Sequence, residues 1–306
     1  MTLPRAPYRP TWTDIDRTAT AAASHRARLL ELLAEFASGG LLVAFSGGVD
    51  SSYLLHEARQ CVPNLVAGIA VSESLGESEL ARARTFATDL GVRLVEVPTR
   101  EIELPEYRRN APDRCYFCKK TLFAELGPLA AKLGIHSIAY GAITDDLNDH
   151  RPGTRAAIEG GIRAPLQEAG LTKDEIRWLC RDAGLAIWNQ PARPCLASRV
   201  AYGEAIDPAW LRAIDSAEGF IRALGIAQVR VRHQGRTARI EVEPDNIAFL
   251  AGPSVRKAVL DHLQKLGYLY VSLDLAGFRS GSNNLPLNTS PSEETEGAIR
   301  PRSATS

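Results

Sequence analysis

The chain has 306 residues, 45% hydrophobic and 24% charged, enough apolar sequence for a full core and a length that favours two domains. Lys+Arg and Asp+Glu balance at 36 each, so the totals lack the basic excess expected of a nucleic-acid binder, and a small-molecule ligand is the expected partner. No run approaches the ~20 apolar residues of a membrane span, and the opening MTLPRAPYRPTWTD has no apolar secretory core, so the cytoplasm is the expected compartment.

Residues 1–23 and 281–306 are expected to be tails; the second is rich in Ser, Pro, Glu and Thr and poor in large apolar residues. Ser24 is placed to cap the helix SHRARLLELLAEF, with Leu29, Leu33 and Phe36 on one face and a stop at Gly39 and Gly40. The runs LLVAF (41–45) and LVAGIAV (65–71) read as strands covered on both faces, with VRLVEV (92–97) and SIAY (137–140) as weaker strand patterns. Between them Ser74 and Glu77 suit a capping box before SELARARTFATDLG, and Thr172 and Glu175 suit another before IRWLCRDAG. Strands alternating with helices predict an α/β domain, a doubly wound parallel sheet, over 24–205. Beyond it, Asp207–Pro208 caps a long helix ending at Gly225, QVRVR and ARIEV alternate as an antiparallel pair, and residues 254–266 are helical. With a last strand, YLYVSLDL, they predict a smaller α+β domain over 206–280.

The densest motif is LLVAFSGGVDSSYLLHEA. An apolar strand runs into Ser46-Gly47-Gly48-Val49-Asp50-Ser51-Ser52, and a helix begins at once. Glycines bring backbone N–H groups close to a ligand, and a helix N-terminus adds partial positive charge, so the turn suits an anion. The serines add hydroxyl donors, and Asp50 beside a phosphate points to magnesium. There is no Walker Gly-Lys-Ser/Thr and no G-x-G-x-x-G. SGGxDS resembles the signature of the PP-loop ATP pyrophosphatases. The resemblance implies ATP at the carboxyl ends of the strands, adenylation of a substrate oxygen, and displacement of AMP by a nucleophile. YGAITDD (140–146) is similar to that group's later acidic loop, which implies Gly141 at the nucleotide and Asp145 and Asp146 near magnesium. Taken alone, adjacent aspartates read as a solvated turn.

The nucleophile is sought among five cysteines. Cys61 and Cys180 fall within apolar helices and read as core, whereas Cys195 lies in PARPCLASR (191–199) with Arg193, Ser198 and Arg199 around it. Such surroundings favour a thiolate. RCYFCKK (114–120) places Cys115 and Cys118 three apart, suited to one metal centre or to two thiols packed beside Tyr116 and Phe117. Three cysteines fit a 4Fe–4S cluster with one open iron able to carry sulfide.

The stretch from DDLNDHRPGTRAAIEGG to LASRVAYG, with VRVRHQG, ARIEV and LDLAGFRSGS after it, resembles the ATP-dependent sacrificial sulfur transferases of the LarE family, over about 25–284. The resemblance implies a nucleotide substrate, pyridinium-3,5-dicarboxylate mononucleotide, whose carboxylates become thiocarboxylates on the way to the nickel-pincer nucleotide cofactor, and a homo-oligomer. It implies Cys195 as the cysteine whose sulfur is given up, Asp50 in the phosphate loop, and Lys119 near the ATP phosphates. It places Ser198, Arg199, Arg230 and Arg232 in a cluster for the substrate phosphate, with Glu218 and Glu241 near it. Cys115 and Cys118 depart from the sacrificial type and resemble members that bind an iron–sulfur cluster. Two other readings are weighed: a tRNA thiolation enzyme, against which the zero net charge argues, and a non-catalytic nucleotide-binding module, which has no use for three such cysteines.

Overall fold

The computed structural model describes residues 15–148, 152–279 and 282–284. The expected tails therefore lie mostly outside the described residues, and residues 149–151 interrupt the DDLNDHRPG motif. In chain order the elements are α1 (Ile15–Ala34), β1 (Leu41–Ala44), α2 (Val49–Cys61), β2 (Leu65–Val71), α3 (Glu77–Leu90) and β3 (Arg93–Pro98). Then come α4 (Pro105–Arg108), α5 (Arg114–Lys132), β4 (Ser137–Tyr140), α6 (Pro152–Glu159), α7 (Pro165–Glu168) and α8 (Lys173–Asp182). The C-terminal part holds α9 (Pro208–Ala223), β5 (Val229–Gln234), β6 (Thr237–Val242), α10 (Ile247–Ala251), α11 (Pro253–Lys265) and β7 (Tyr270–Leu273).

β1 to β4 form one parallel sheet in the order β3-β2-β1-β4. Strand side chains alternate across it: Leu41 and Val43 pack with Leu29, Leu33, Leu54 and Leu179 on one face, Leu42 and Val66 with Phe123 and Leu126 on the other. This is the expected α/β architecture, with helices covering both faces. The order reverses at β1, because β2 continues to one side and β4 pairs on the other. A crevice at the carboxyl ends of β1 and β4 follows, the usual ligand position in such sheets.

The smaller unit is a three-stranded sheet, β5-β6-β7, with β5 antiparallel and β7 parallel to β6. Its core, from Ala217 and Ile221 through Val231 and Ile240 to Leu263, is separate from the first. A further cluster of Tyr107, Leu196, Ala197, Val200, Ile206, Leu211 and Ile214 joins the two units.

Two local expectations are corrected. The first helix starts at Ile15 instead of Ser24, and Ala22 on the added turns is fully buried. Its alanine-rich run has the highest helix propensity and finds a place in the main core. The Ser74–Glu77 capping box does not form. Ser74 Oγ instead meets the Tyr107 hydroxyl at 2.6 Å, and the Glu77 N–H donates to Asp215 of α9 at 3.0 Å. A capping group from a distant element has replaced the local one. The Thr172–Glu175 box and the Asp207 cap form as expected.

Candidate active site

The phosphate loop leaves β1 with Gly47 at φ +68°, a left-handed conformation that glycine adopts without strain. A Cβ there would also stand 3.2 Å from Ala83 Cβ. Ser51 Oγ stitches the turn: it accepts from the Ser46 N–H at 3.2 Å, donates to Gly48 O at 3.2 Å, and meets Ser46 Oγ at 3.0 Å. Gly48 caps α2 with extended backbone, supplies no side-chain cap and donates its N–H to Ser46 Oγ at 3.4 Å, and the first turn carries Val49 and Asp50. The N–H groups of that turn are the orphan donors of a helix start. Ser52 is fully buried, and its hydroxyl has no partner among the described residues.

Gly141 closes the crevice from β4. A Cβ at this position would lie 2.8 Å from Ser51 N and 3.2 Å from Asp50 C, so the strand end meets the phosphate loop only because no side chain intervenes. Lys119 of α5 lies beside it, crossing Gly153 and setting Nζ 4.4 Å from the Tyr140 ring centroid. The acidic loop divides its roles. Asp146 folds back to accept from the Ile143 N–H at 3.1 Å, while exposed Asp145 accepts from the Lys173 N–H at 2.9 Å.

Lys173 is a residue that the sequence reading missed. Its Nζ lies 2.6 Å from both carboxylate oxygens of Asp50. It stands at the first turn of α8, directly after the Thr172 cap, and the recognisable capping box was the one signal that could have fixed its position. Asp50 keeps the donor chemistry for magnesium, and its carboxylate is held in the crevice by an ammonium group.

Cys195 precedes a short 3-10 turn, Leu196–Arg199, docked on the β2–α3 connection by the Leu196 N–H to Ser74 O bond at 2.8 Å. Cys115 and Cys195 are exposed, Cys118 half-buried, and Cys180 buried. Cys118 packs against the cluster that contains Leu196 and Ala197. Burial, then Glu101, Cys195 and Cys115, push the Cys118 thiol well above its ordinary value; burial and Cys195 also raise Cys115, although its surface is open to solvent. The three expected thiols thus share one electrostatic neighbourhood. Glu101 beside them is 2% exposed, accepts from Ser72 Oγ at 2.5 Å, and leaves Oε2 without a hydrogen-bond partner among the described residues. Cys180 is raised to about 12 by burial, in keeping with a core role. No group of three or more His, Cys, Asp or Glu among the described residues is arranged to hold a metal ion. The donor chemistry of three neighbouring thiols nevertheless suits iron.

The two arginines expected to favour a Cys195 thiolate are engaged elsewhere. Arg193 reaches Glu79 at 3.2 Å. Arg199, 2% exposed, pairs with Glu218 at 2.9 and 3.0 Å and donates to the Pro194 and Cys195 carbonyls. It therefore holds the backbone of Cys195 while Ser198 Oγ accepts from the same guanidinium at 3.1 Å.

Around this turn the hairpin presents its arginines inward. Arg230 and Arg232 are 3% and 5% exposed, although in isolation the same alternation would fit an edge hairpin with solvated arginines. Glu218 and Glu241, both fully buried, explain the difference. Glu218 takes Arg199, Arg222 and the Val231 N–H; Glu241 takes Arg232 at 2.8 Å, Arg239 at 3.2 Å and Ser282 Oγ at 3.1 Å. Burial opposes ionisation of Glu218, but Arg199 holds its carboxyl below the ordinary value. The arginines expected to cluster with Ser198 therefore do lie together, with two buried carboxylates as their internal counter-ions. Arg230 differs, for it donates to the Val229 and Ala192 carbonyls and forms no salt bridge among the described residues. Burial and Arg199 lower it to about 9. It is the cation for which an anionic ligand would do most.

No protein-family model matches the chain. It is 42% identical over 244 residues to an uncharacterised protein of Synechocystis, covering 79% of this chain and 91% of that one. It is 27% identical over 249 residues to an uncharacterised protein of Methanocaldococcus jannaschii, covering 80% and 93%. Over 245 residues it is 37% identical to the pyridinium-3,5-bisthiocarboxylic acid mononucleotide synthase of Lactiplantibacillus plantarum, covering 79% of this chain and 88% of the synthase. At that identity and coverage the chain belongs to the LarE family, the family of that synthase.

Proposed function

We propose that this protein is an ATP-dependent sulfur transferase that converts the carboxylates of pyridinium-3,5-dicarboxylate mononucleotide to thiocarboxylates, in the making of the nickel-pincer nucleotide cofactor. The similarity to the synthase over most of both chains carries this reading. A carboxylate is a poor electrophile, and adenylation supplies a leaving group. Orphan N–H groups of the first turn of α2 and the serine hydroxyls would receive the ATP phosphates. Asp50 would hold magnesium, with Lys173 turning from Asp50 to a phosphate oxygen as the metal enters. Arg230 is the strongest candidate for the substrate phosphate. Arg232, committed to buried Glu241, would support Arg230 structurally more than act as a free ligand.

Sulfur can come from Cys195 itself. Its thiolate attacks the acyl adenylate carbon, a C–S bond forms, and AMP departs with the electron pair. Loss of the Cys195 α-proton then breaks the Cβ–S bond, leaving thiocarboxylate and dehydroalanine. Cys115 and Cys118 beside Cys195 favour a second route, in which the three thiols would hold a 4Fe–4S cluster. Such a cluster, when bound, supplies sulfide as the nucleophile.

With Mg–ATP and the mononucleotide, the products expected are AMP and pyrophosphate; ADP and phosphate would overturn the assignment. The polypeptide mass after turnover separates the sulfur sources. Loss of the elements of hydrogen sulfide from Cys195, after one event per chain, identifies the sacrificed cysteine. An unchanged mass over many turnovers of anaerobically reconstituted protein, with inorganic sulfide supplied as the sulfur source, identifies the cluster.

A further inference from the structure

We propose that Asn110 and Arg114 are positioning residues that latch the loop carrying Cys195 to the start of the helix carrying Cys115 and Cys118. The inference rests on the sulfur-transfer reading for its purpose, and on geometry alone for its existence. Asn110 is fully buried and has φ +53°, the sole non-glycine residue with positive φ among the described residues. Asparagine is among the few residues that tolerate this conformation. The turn aims its amide at the segment that follows Cys195: Nδ2 donates to Ala201 O at 2.8 Å and to Val200 O at 3.4 Å. The Asn110 carbonyl also accepts from the Gly203 N–H at 3.2 Å.

Arg114 completes the latch. It is 5% exposed, and Nη1 donates both to Asn110 Oδ1 and to Ala197 O at 3.1 Å. Two side chains from 110–114 thus bind three carbonyls at 197–201, directly after Cys195. Arg114 adjoins Cys115 in sequence, and its charge is felt by both Cys115 and Cys195. It has no salt bridge among the described residues, only neutral acceptors and the Tyr202 ring at 6.0 Å. A buried guanidinium without a carboxylate is an expensive way to tie a loop. Its charge stands beside Cys115 and Cys195, the residues whose segments it ties together.

The test uses the full-length chain and dibromobimane, a short reagent that bridges two neighbouring thiols. Peptide mapping is expected to find Cys195 bridged to Cys115 or Cys118 in the unaltered protein. Asn110→Gly keeps the backbone turn without strain and removes the side chain; Asn110→Asp keeps the acceptor for Arg114 and removes the donor to Ala201. Asn110→Gly is expected to slow bridging roughly tenfold, the size of a lost hydrogen bond to a charged group, and Asn110→Asp by less. For both, the thermal midpoint should stay within a few degrees and ATP affinity should be kept, while the single-turnover rate constant for thiocarboxylate formation at saturating mononucleotide falls and the half-saturating mononucleotide concentration stays unchanged. Arg114→Met should resemble Asn110→Gly. Arg114→Lys should recover little, because one ammonium cannot span both acceptors. Bridging of folded Asn110→Gly at the unaltered rate would overturn the latch, as would absence of any Cys195 bridge in the unaltered chain. If bridging behaves as expected but the unaltered enzyme makes no thiocarboxylate, the latch stands and the functional reading fails.

Discussion

At the phosphate loop the groups proposed to face a ligand are backbone N–H groups and hydroxyls of consecutive residues, Ser46 to Ser52, shaped by one left-handed glycine and closed by a second glycine after β4. The cysteine and arginine region is assembled differently. Its thiols come from α5 and from the loop before α9, its cations from that loop and from β5, and its counter-ions from α9 and β6. The first site depends on local backbone shape, the second on long side chains that neutralise one another away from water. One substitution should therefore have opposite signatures in the two places. At the loop, function goes and the fold stays; in the cluster, the fold goes with the function.

The largest effect is expected for Glu218→Ala. It strands Arg199 and removes one partner of Arg222 and of the Val231 N–H in a fully buried position. Breaking a buried pair costs about 3–5 kcal/mol, to be read from urea unfolding. A loss below about 1 kcal/mol would mean that water reaches Arg199 and that the cluster is not the closed network described.

Gly141→Ala should cost less stability and more activity. Its Cβ must push against Ser51 N at 2.8 Å, a strain of about 1–3 kcal/mol when backbone has to move. Because the atoms that yield are those of the phosphate loop, ATP binding by calorimetry should be lost while most of the unfolding free energy survives. Retention of ATP affinity would remove the switch-point crevice as the nucleotide site.

Lys173→Met sharpens the same contrast at smaller scale. Asp50 loses its 2.6 Å partner and is left to solvent and metal. Magnesium binding without ATP should tighten, and ATP affinity should fall about tenfold, as for the loss of one charge-assisted hydrogen bond. Unchanged ATP affinity would leave Lys173 a mere counter-ion of Asp50.

These differences also explain what could be read from the chain beforehand. The parallel sheet, the phosphate loop, the Thr172 box and the Asp207 cap are written in runs of a few residues, where local pattern and local structure coincide. The cap of α3 was misjudged because Asp215 supplies it across the unit boundary. Lys173 was missed because its meaning depends on where α8 lies relative to Asp50. The arginines flanking Cys195 are legible, but their ion-pair partners, Glu79 and Glu218, sit on other helices and cannot be read from the loop. Arg114 and Asn110 went unnoticed for the same reason, since nothing at 110–114 marks the carbonyls at 197–201. Where a site is made of contacts between distant segments, composition gives the ingredients without their partners.

The smallest predicted effect tests the seam between the two regions. Glu79 stands on the first turns of α3, a contact away from Gly47, and binds Arg82 at 2.9 Å and Arg193 of the cysteine loop at 3.2 Å. Burial opposes its ionisation, yet the two arginines hold it at about 2, against an ordinary 4.5. A carboxyl lowered on folding adds stability that is complete above its unfolded value and disappears as pH falls through the folded one. Stability should therefore drop between about pH 4.5 and pH 2, and Glu79→Gln should remove that share of the drop. The share should be about 1–2 kcal/mol, below the full linkage value, since the pair is partly wetted. The residual slope would belong to the other lowered carboxyls, Glu218 among them. At pH 7 Glu79→Gln should also free Arg193, so alkylation of Cys195 by iodoacetamide should change in rate while ATP affinity does not. A Gln variant with an unaltered acid slope and unaltered Cys195 reactivity would show that the phosphate loop and the cysteine loop are joined by backbone alone.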